Sequence, residues 1–230
     1  MKKSIILSAF LALVALALFV AAQETKPAAS GKKGESGSIS SNFLVENFED
    51  AGAWQGSMPI DFGVIRVIRR EGAPRELKQE SSNANRYVLG ARVNYFKSGP
   101  TWFALIPPRE IQIPGVTKSI SIWVSGRNYN HVLKAVVKDF YGEIRYATFG
   151  KMNFPGWNKM TAQVSPFIQQ DNFKMNPIWR PRGLKVKAML VECAMEETTG
   201  EYFLYLDNMS AISEMFAEEN VDPDDIVDDW

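Results

Sequence analysis

Apolar and polar residues alternate with a period of two through the body of the chain, which is the spacing of β-strands rather than of helices. Within "TKSISIWVSG", Ile120, Ile122 and Val124 share one face and Trp123 lies on the other. Four further stretches alternate in the same way, and their apolar faces comprise Tyr87, Leu89, Ala91, Val93 and Tyr95; Leu133, Ala135 and Val137; Met160, Ala162 and Val164; and Leu184, Val186, Ala188 and Leu190. Turn sequences such as "IPGV", "SGRN" and "FPGW" separate these stretches. About ten short strands without a long amphipathic helix predict an all-β fold, an antiparallel β-sandwich of jelly-roll type.

Residues 1–22 have the three-part pattern of a secretory signal peptide. Two lysines are followed by an apolar run and then by the small residues Ala21 and Ala22. The alternative is an uncleaved membrane anchor, but the apolar run is short for a membrane span. No other stretch is long and apolar enough to cross a bilayer. The chain is therefore expected to be exported, with no membrane span after the signal peptide is removed.

Cleavage is expected between Ala22 and Gln23, because small residues directly follow the apolar run. Mass analysis of the protein recovered from cells should therefore find Gln23 as the first residue. Recovery of the chain with Met1 retained would contradict this prediction.

Three regions follow the signal peptide. Residues 23–42 are rich in Gly, Ser, Ala and Lys, and Ile39 is their one large apolar residue, a composition that favours a flexible leader. Residues 43–213 contain the alternating stretches and are long enough for one β-sandwich domain. Residues 214–230 form an acidic tail.

Charge is distributed unevenly among these regions. Residues 23–213 contain 24 Lys and Arg against 18 Asp and Glu, whereas residues 214–230 contain eight acids and no base. The tail is either a solvated appendage or a segment that docks on a basic surface, of its own body or of a neighbouring subunit, and Trp230 favours docking. One third of the chain contains a cluster of six arginines: Arg66, Arg69, Arg70, Arg75, Arg86 and Arg92. Because an exported protein is not expected to meet nucleic acid, an acidic protein surface is the expected partner of this cluster.

The residue types that catalysis needs are scarce. His131 is the only histidine and Cys193 the only cysteine, so a Ser-His-Asp triad and a zinc ligand set are not indicated. We expect His131 to be exposed or to cap a chain end, and Cys193 to be a small buried hydrophobe. A carboxylate pair of glycosidase type is the one chemistry that the composition leaves open. No catalytic, cofactor-binding or metal-binding residues are assigned, and the protein is not expected to be an enzyme.

The two ends of the predicted sandwich resemble carbohydrate-binding jelly rolls. The resemblance rests on "FLVENFEDAGAW" in the first strand and "EYFLYLDNMSAIS" in the last. It implies that these strands pair, and in several such families the early Glu and late Asp hold a structural calcium. The matching residues here are Glu49 and Asp207. Two carboxylates that meet in a sandwich repel each other unless a cation, a basic side chain or a proton intervenes, so calcium is one of several alternatives.

Five tryptophans are spread through the body of the chain: Trp54, Trp102, Trp123, Trp157 and Trp179. In a sugar-binding module two or three exposed rings would form a stacking platform, whereas in a structural subunit the same rings would be core or subunit contacts. Trp123 is expected to be the most exposed ring, since it lies opposite an apolar face.

A second resemblance covers roughly residues 1–215. The signal peptide, the leader, "NFLVENFEDAGAW", "PGWNKMTAQVSPFI", "YLDNMSAIS" and the acidic tail, in that order, are similar to the spirochaete flagellar filament outer-layer (sheath) proteins. The resemblance implies a structural role in motility on the periplasmic flagellum, without enzymatic activity. It also implies flagellin core subunits and other sheath proteins as partners, with self-association along the filament. The alternative is an exported carbohydrate-binding module.

Overall fold

The computed structural model describes residues 38–80, 85–171 and 183–216. Within these ranges the chain forms twelve β-strands: β1 Ser38–Glu46, β2 Gln55–Ser57, β3 Gly63–Glu71, β4 Tyr87–Tyr95, β5 Thr101–Ile106, β6 Ile111–Ile113, β7 Val116–Ser125, β8 Val132–Lys138, β9 Ile144–Lys151, β10 Asn158–Gln163, β11 Leu184–Cys193 and β12 Gly200–Phe216. One short helix, α1, covers Arg75–Glu80, and single 3₁₀ turns cover Ala51–Ala53 and Met195–Glu197. The described helical segments include none with the length and apolar character of a membrane span.

The strands form two sheets with antiparallel pairing throughout. The first sheet has the order β10-β7-β12-β4-β3, with β1 also paired to β12. The second sheet has the order β2-β5-β11-β8-β9, with β6 also paired to β11. Apolar side chains from both sheets form one buried cluster, so the sheets pack face to face. The predicted all-β sandwich is confirmed, and so is the predicted pairing of the first and last strands.

The inward faces follow the predicted alternation in most strands. On β7, Ile120, Ile122 and Val124 are fully buried, as are Leu133, Ala135 and Val137 on β8. Each fully buried Val, Leu or Ile side chain among them stabilises the fold by about 1.5–3 kcal/mol. The period-two pattern therefore identifies the core because each strand presents one face to the opposite sheet.

Strand β11 departs from the prediction. Leu184, Val186 and Ala188 are buried as expected. Beyond them, however, Met189 and Val191 are fully buried while Leu190 is only half-buried. The pairing with β8 shifts between Val186 and Ala188. An extra residue at a β-bulge moves every following side chain to the other face of the sheet, which is why the uninterrupted alternation was wrong here.

The long strand β12 forms the centre of the first sheet. Residues Gly200–Leu206 pair with β4, and residues Met209–Phe216 pair with β1 along the same edge. Between the two lie Asp207 and Asn208, where the pairing with β7 is also shifted and Asn208 has a positive φ of 38°. The sequence Asp-Asn thus marks the junction at which the edge of β12 passes from one partner strand to the other.

The first and last strands extend beyond the boundaries expected at residues 43 and 213. β1 begins at Ser38 and β12 ends at Phe216, and their ends pair with each other. Polar residues can extend a ladder because the pairing uses backbone groups, and Lys118 adds an ion pair to Glu214 at 3.0 Å. The signal peptide, most of the leader, Trp179 and tail residues 217–230 lie outside the described residues.

Candidate interaction surfaces

The outer surface of the first sheet has a groove lined by arginines and aromatic rings. Arg66, Ile68 and Arg70 of β3, Arg92 of β4, and Phe203 and Tyr205 of β12 surround about 200 Å³. We call these six residues, together with Arg127 in the loop after β7, the arginine–aromatic face. Gly90 lies at its floor, where an added Cβ atom would come within 3.3 Å of both Ile68 and Tyr205.

Two guanidinium groups of this face lie close to its aromatic rings. The Cζ atom of Arg92 lies 5.8 Å from the centre of the Phe203 ring, and that of Arg127 lies 5.9 Å from it. Arg127 is also 5.6 Å from the centre of the Tyr205 ring. Guanidinium groups at such distances are attracted by the negative face of the ring. The surface therefore combines positive charge with apolar area.

The structure divides the six arginines of the predicted cluster. Arg66, Arg70 and Arg92 come together on the arginine–aromatic face, but Arg69 alternates to the other side of β3. Its guanidinium lies 3.9 Å from the centre of the Tyr87 ring and donates to the Glu49 carbonyl at 3.4 Å. Among the remaining members, Arg86 is near Glu71 at 3.8 Å and Arg75 begins α1. The arginines clustered in the sequence therefore do not form one surface, and Arg69 is separated from Arg70 because neighbouring residues of a strand face opposite ways.

The outer surface of the second sheet has an aromatic strip. Trp102 of β5 is 43% exposed and Tyr146 of β9 is 56% exposed, and between them lie Val136 and Leu190. Glu192 borders the strip and accepts a hydrogen bond from Lys134 at 2.6 Å. A shallow surface of this kind can contact a sugar ring or an apolar protein surface.

Among the tryptophans that the structure describes, the most exposed is not the predicted one. Trp123 is half-buried, whereas Trp102 presents its ring to solvent. Trp54 is almost fully buried against Phe48, with the ring centres 5.2 Å apart. Trp123 was misplaced because the outward side of a central strand is partly covered by its neighbours on both sides.

A cleft of about 960 Å³ lies beside the turn after β1 and contains charges of both signs. Its lining includes Glu46, Asp50, Arg69 and Arg109. Trp54 contributes to the wall, but its ring is buried and offers no stacking surface. We therefore regard the two outer sheet faces as the stronger candidates for interaction.

Glu49 and Asp207 are linked through residues 85–87 at the junction in β12, and their charges interact. An oxygen of Glu49 accepts hydrogen bonds from the backbone N–H groups of Arg86 at 2.8 Å and Tyr87 at 3.1 Å. Asp207 is fully buried and accepts from the Asn85 side-chain amide at 3.0 Å and from the Asn208 backbone at 2.8 Å. These contacts join the turn after β1, the start of β4 and the middle of β12.

The electrostatics of this junction favour a proton on Asp207. Burial raises the pKa of its carboxyl from 3.8 to about 7, and the charge of Glu49 adds to the rise, while the hydrogen bonds from Asn85 and Asn208 oppose it. No group of three or more His, Cys, Asp or Glu side chains suited to a metal ion occurs in the described part of the chain. The two carboxylates alone are thus a sparse ligand set for calcium, which prefers six to eight oxygens.

His131 is fully buried, so of the two expected positions, exposed or capping, the exposed one was wrong. Its Nδ1 atom accepts a hydrogen bond from the backbone of Ala194 at 3.0 Å, where the chain enters the second 3₁₀ turn. Nε2 lies 3.4 Å from the Tyr95 hydroxyl. Burial lowers the pKa of the imidazole to about 4, although Glu197 opposes this shift. The ring is therefore neutral at physiological pH and serves the packing of this end of the sandwich.

Cys193 is half-buried against the same cluster. Its Sγ lies 3.2 Å from the Tyr95 hydroxyl, and burial raises the pKa of the thiol to about 11. A thiol with a raised pKa forms little thiolate, so Cys193 is a poor nucleophile. The hydrophobic role predicted for it agrees with its packing against the core.

A family model described as flagellar filament outer layer protein FlaA matches residues 19–221. The chain belongs to this family. A flagellar filament outer layer-like protein of Brachyspira hyodysenteriae is 38% identical to this FlaA-family chain over 189 residues, covering 82% of the chain and 86% of the relative. The flagellar filament outer layer protein of Spirochaeta aurantia is 26% identical over 118 residues, covering 48% of this chain and 35% of the relative.

Among solved structures, this FlaA-family chain is similar to carbohydrate-binding modules. One module of the β-sandwich superfamily is 15% identical, with 75% of this chain and 61% of that chain covered and a TM-score of 0.46. A family 11 module from Clostridium thermocellum is 10% identical, with 76% of this chain and 98% of the module covered and a TM-score of 0.43. At these values the likeness carries no argument about a ligand.

Proposed function

We propose that this chain is a structural subunit of the outer layer of the periplasmic flagellar filament and contributes to motility. The observation that carries the proposal is the family match over residues 19–221, most of the exported chain. Its partners would be flagellin core subunits, other outer-layer proteins and further copies of itself, and its role would be non-catalytic.

The two outer sheet faces support an assembly role. Both carry large side chains at the surface: the arginine–aromatic face on one sheet and the aromatic strip on the other. Arginine and aromatic residues are enriched at protein interfaces, because they combine apolar area with directed polar contacts. A subunit of a coat needs contacts on more than one side, since it must touch both the filament and its neighbours.

Export to the periplasm is part of the same proposal. The signal pattern of residues 1–22 supports it, although this segment lies outside the described residues. A single cysteine also suits a periplasmic coat protein, because its fold depends on apolar packing rather than on intrachain disulfides.

Carbohydrate binding is the second candidate function, favoured by the exposed rings of Trp102 and Tyr146. The two functions separate in a pelleting experiment with the exported chain. We expect co-sedimentation with purified flagellar filaments and no retention on insoluble polysaccharide. Retention on polysaccharide that is lost in the Trp102→Ala and Tyr146→Ala variants, without filament binding, would favour the carbohydrate-binding module.

A further inference from the structure

The arginine–aromatic face has positive charge that the described residues leave largely unbalanced. Arg66 and Arg92 are direct cross-strand neighbours on β3 and β4. Arg92 pairs with Glu201, but Arg66, Arg70 and Arg127 form no ion pair within residues 38–80, 85–171 and 183–216. Like charges directly opposite each other destabilise a sheet, and Glu201 balances only Arg92, so a partner with negative charge would stabilise this face.

The sequence offers one segment with the complementary chemistry. Residues 217–230 contain seven acids and no base, with the apolar residues Ile226, Val227 and Trp230 among them. By contrast, the internal segments 81–84 and 172–182 contain no Asp or Glu. A groove with a cationic rim and an apolar floor matches a segment in which acids flank large apolar side chains.

We propose that residues 217–230 of a second copy of this chain occupy the arginine–aromatic face, which assigns the self-association contact within the proposed function. Each copy would then contribute the acidic segment to one neighbour and the groove to another. Repetition of such a heterologous contact produces an open, head-to-tail array rather than a closed dimer. An open array is the geometry that a continuous layer along a filament requires.

The position of the groove along β12 favours a second copy over the chain's own segment. Tyr205 lies in the groove, whereas β12 ends at Phe216, eleven residues further along the strand. At ~3.3 Å per residue this separation is about 36 Å. Fourteen extended residues span at most about 46–50 Å, so the chain's own segment would use most of its length in returning. A neighbour placed end to end brings its segment to the groove with length to spare for contacts.

Two variants of the exported chain test the proposal. The first ends at Phe216, which removes the acidic segment and keeps every paired residue of β12. A cut after Ser213 would instead remove three residues that pair with β1. The second variant keeps the segment but carries Arg66→Glu and Arg70→Glu. It is expected to fold, because a glutamate at position 66 faces Arg92 across the strands.

Sedimentation velocity at low ionic strength gives the readout. The unchanged chain should form concentration-dependent oligomers, and each variant alone should be monomeric. Mixed in equal amounts, the variants should form a heterodimer and nothing larger. In this mixture only the truncated variant has an intact groove, and only the Arg→Glu variant has the acidic segment. High salt should weaken the heterodimer about tenfold, since exposed ion pairs are screened. A mixture that stays monomeric would overturn the proposal.

A charge-matched control is available on the second sheet. Lys185→Glu with Lys187→Glu makes the same change in net charge at exposed positions of β11, and it should leave oligomerisation unchanged. Loss of oligomers in this control would show a general charge effect and contradict the assigned site. Stronger binding of the truncated variant to duplex DNA or to anionic lipid vesicles than to a peptide of residues 217–230 would also contradict it.

This experiment contains no filaments, so its failure would leave the proposed function standing. Conversely, oligomers that form as expected but do not pellet with filaments would count against the proposed function alone.

Discussion

Asp207→Asn is expected to make the protein more stable at pH 8 than the unchanged chain, by on the order of 2–4 kcal/mol. The carboxyl is fully buried and its pKa is raised from 3.8 to about 7. A carboxyl with a raised folded-state pKa stabilises the fold fully below pH 4, and this contribution is lost as the pH rises through 7. Asparagine avoids the buried charge at every pH.

The local hydrogen bonds permit this substitution. The Oδ1 atom of Asn85 is buried without a hydrogen-bond partner in the described part of the chain, while its amide donates to Asp207. If the Asn85 amide group rotates by half a turn, Oδ1 can accept a hydrogen bond from the new amide at position 207. The isosteric side chain therefore adds no further unsatisfied group, since one polar atom of Asn85 lacks a partner in either protein.

Denaturant unfolding at pH 5 and pH 8 measures the effect in both proteins. The unchanged chain should lose stability over this interval relative to the variant, and the exposed control Asp61→Asn should behave like the unchanged chain. Equal stability of variant and unchanged chain at pH 8 would contradict a raised pKa at Asp207. Addition of a calcium chelator completes the experiment, because a shift in the melting temperature only in the unchanged chain would favour calcium rather than a proton at the junction.

His131 should destabilise the fold on acidification, by on the order of 3 kcal/mol. Its pKa is lowered from 6.5 to about 4 by burial, so its contribution is fully present above pH 6.5 and is lost as the pH falls through 4. The ring is enclosed by Tyr129, with ring centres 5.2 Å apart, and by Tyr202, with ring centres 4.7 Å apart. Glu197, 3.7 Å from Nδ1, is the nearby acid that would partly stabilise the charged ring.

The variant His131→Gln isolates this effect, since a glutamine oxygen can accept the hydrogen bond from Ala194 without titrating. Glutamine packs less well than the ring, so the variant should be less stable at pH 6.5. This difference in stability should shrink by on the order of 3 kcal/mol from pH 6.5 to pH 3.5. The comparison is best made in the Asp207→Asn background, which removes the opposing titration. A difference that stays constant over this range would contradict the buried neutral histidine.

Alternation could predict the core of this fold because each sheet buries one face. Strand β7 shows this most clearly, since Ile120, Ile122 and Val124 are all fully buried. The same rule applied to "TWFALI" would have placed Trp102 opposite the buried Phe103 and Leu105, and so would have found the exposed ring. The bulge in β11 could not be predicted, because an extra residue leaves no signal in a run of apolar side chains.

The interaction surfaces were only partly predictable. Arg66 and Arg70 are four residues apart on one strand, which is two periods of its alternation, so their shared face follows from the sequence. The contribution of Arg127 depends on the pairing of β7 with β12, a contact between residues about 80 positions apart that no local pattern encodes. The resemblance to carbohydrate-binding jelly rolls singled out Glu49 and Asp207, whereas the hydrogen bond from Asn85 to Asp207 required the structure.

The central claim is that this chain lies in the outer layer of the flagellar filament. The most direct measurement is mass spectrometry of periplasmic flagella purified after chemical cross-linking in intact cells. We predict that the chain is recovered with the filaments, joined by cross-links to flagellin or to other outer-layer proteins, in amounts that scale with filament length. Recovery of the chain only in the soluble periplasmic fraction, with no cross-link to any filament protein, would contradict the account.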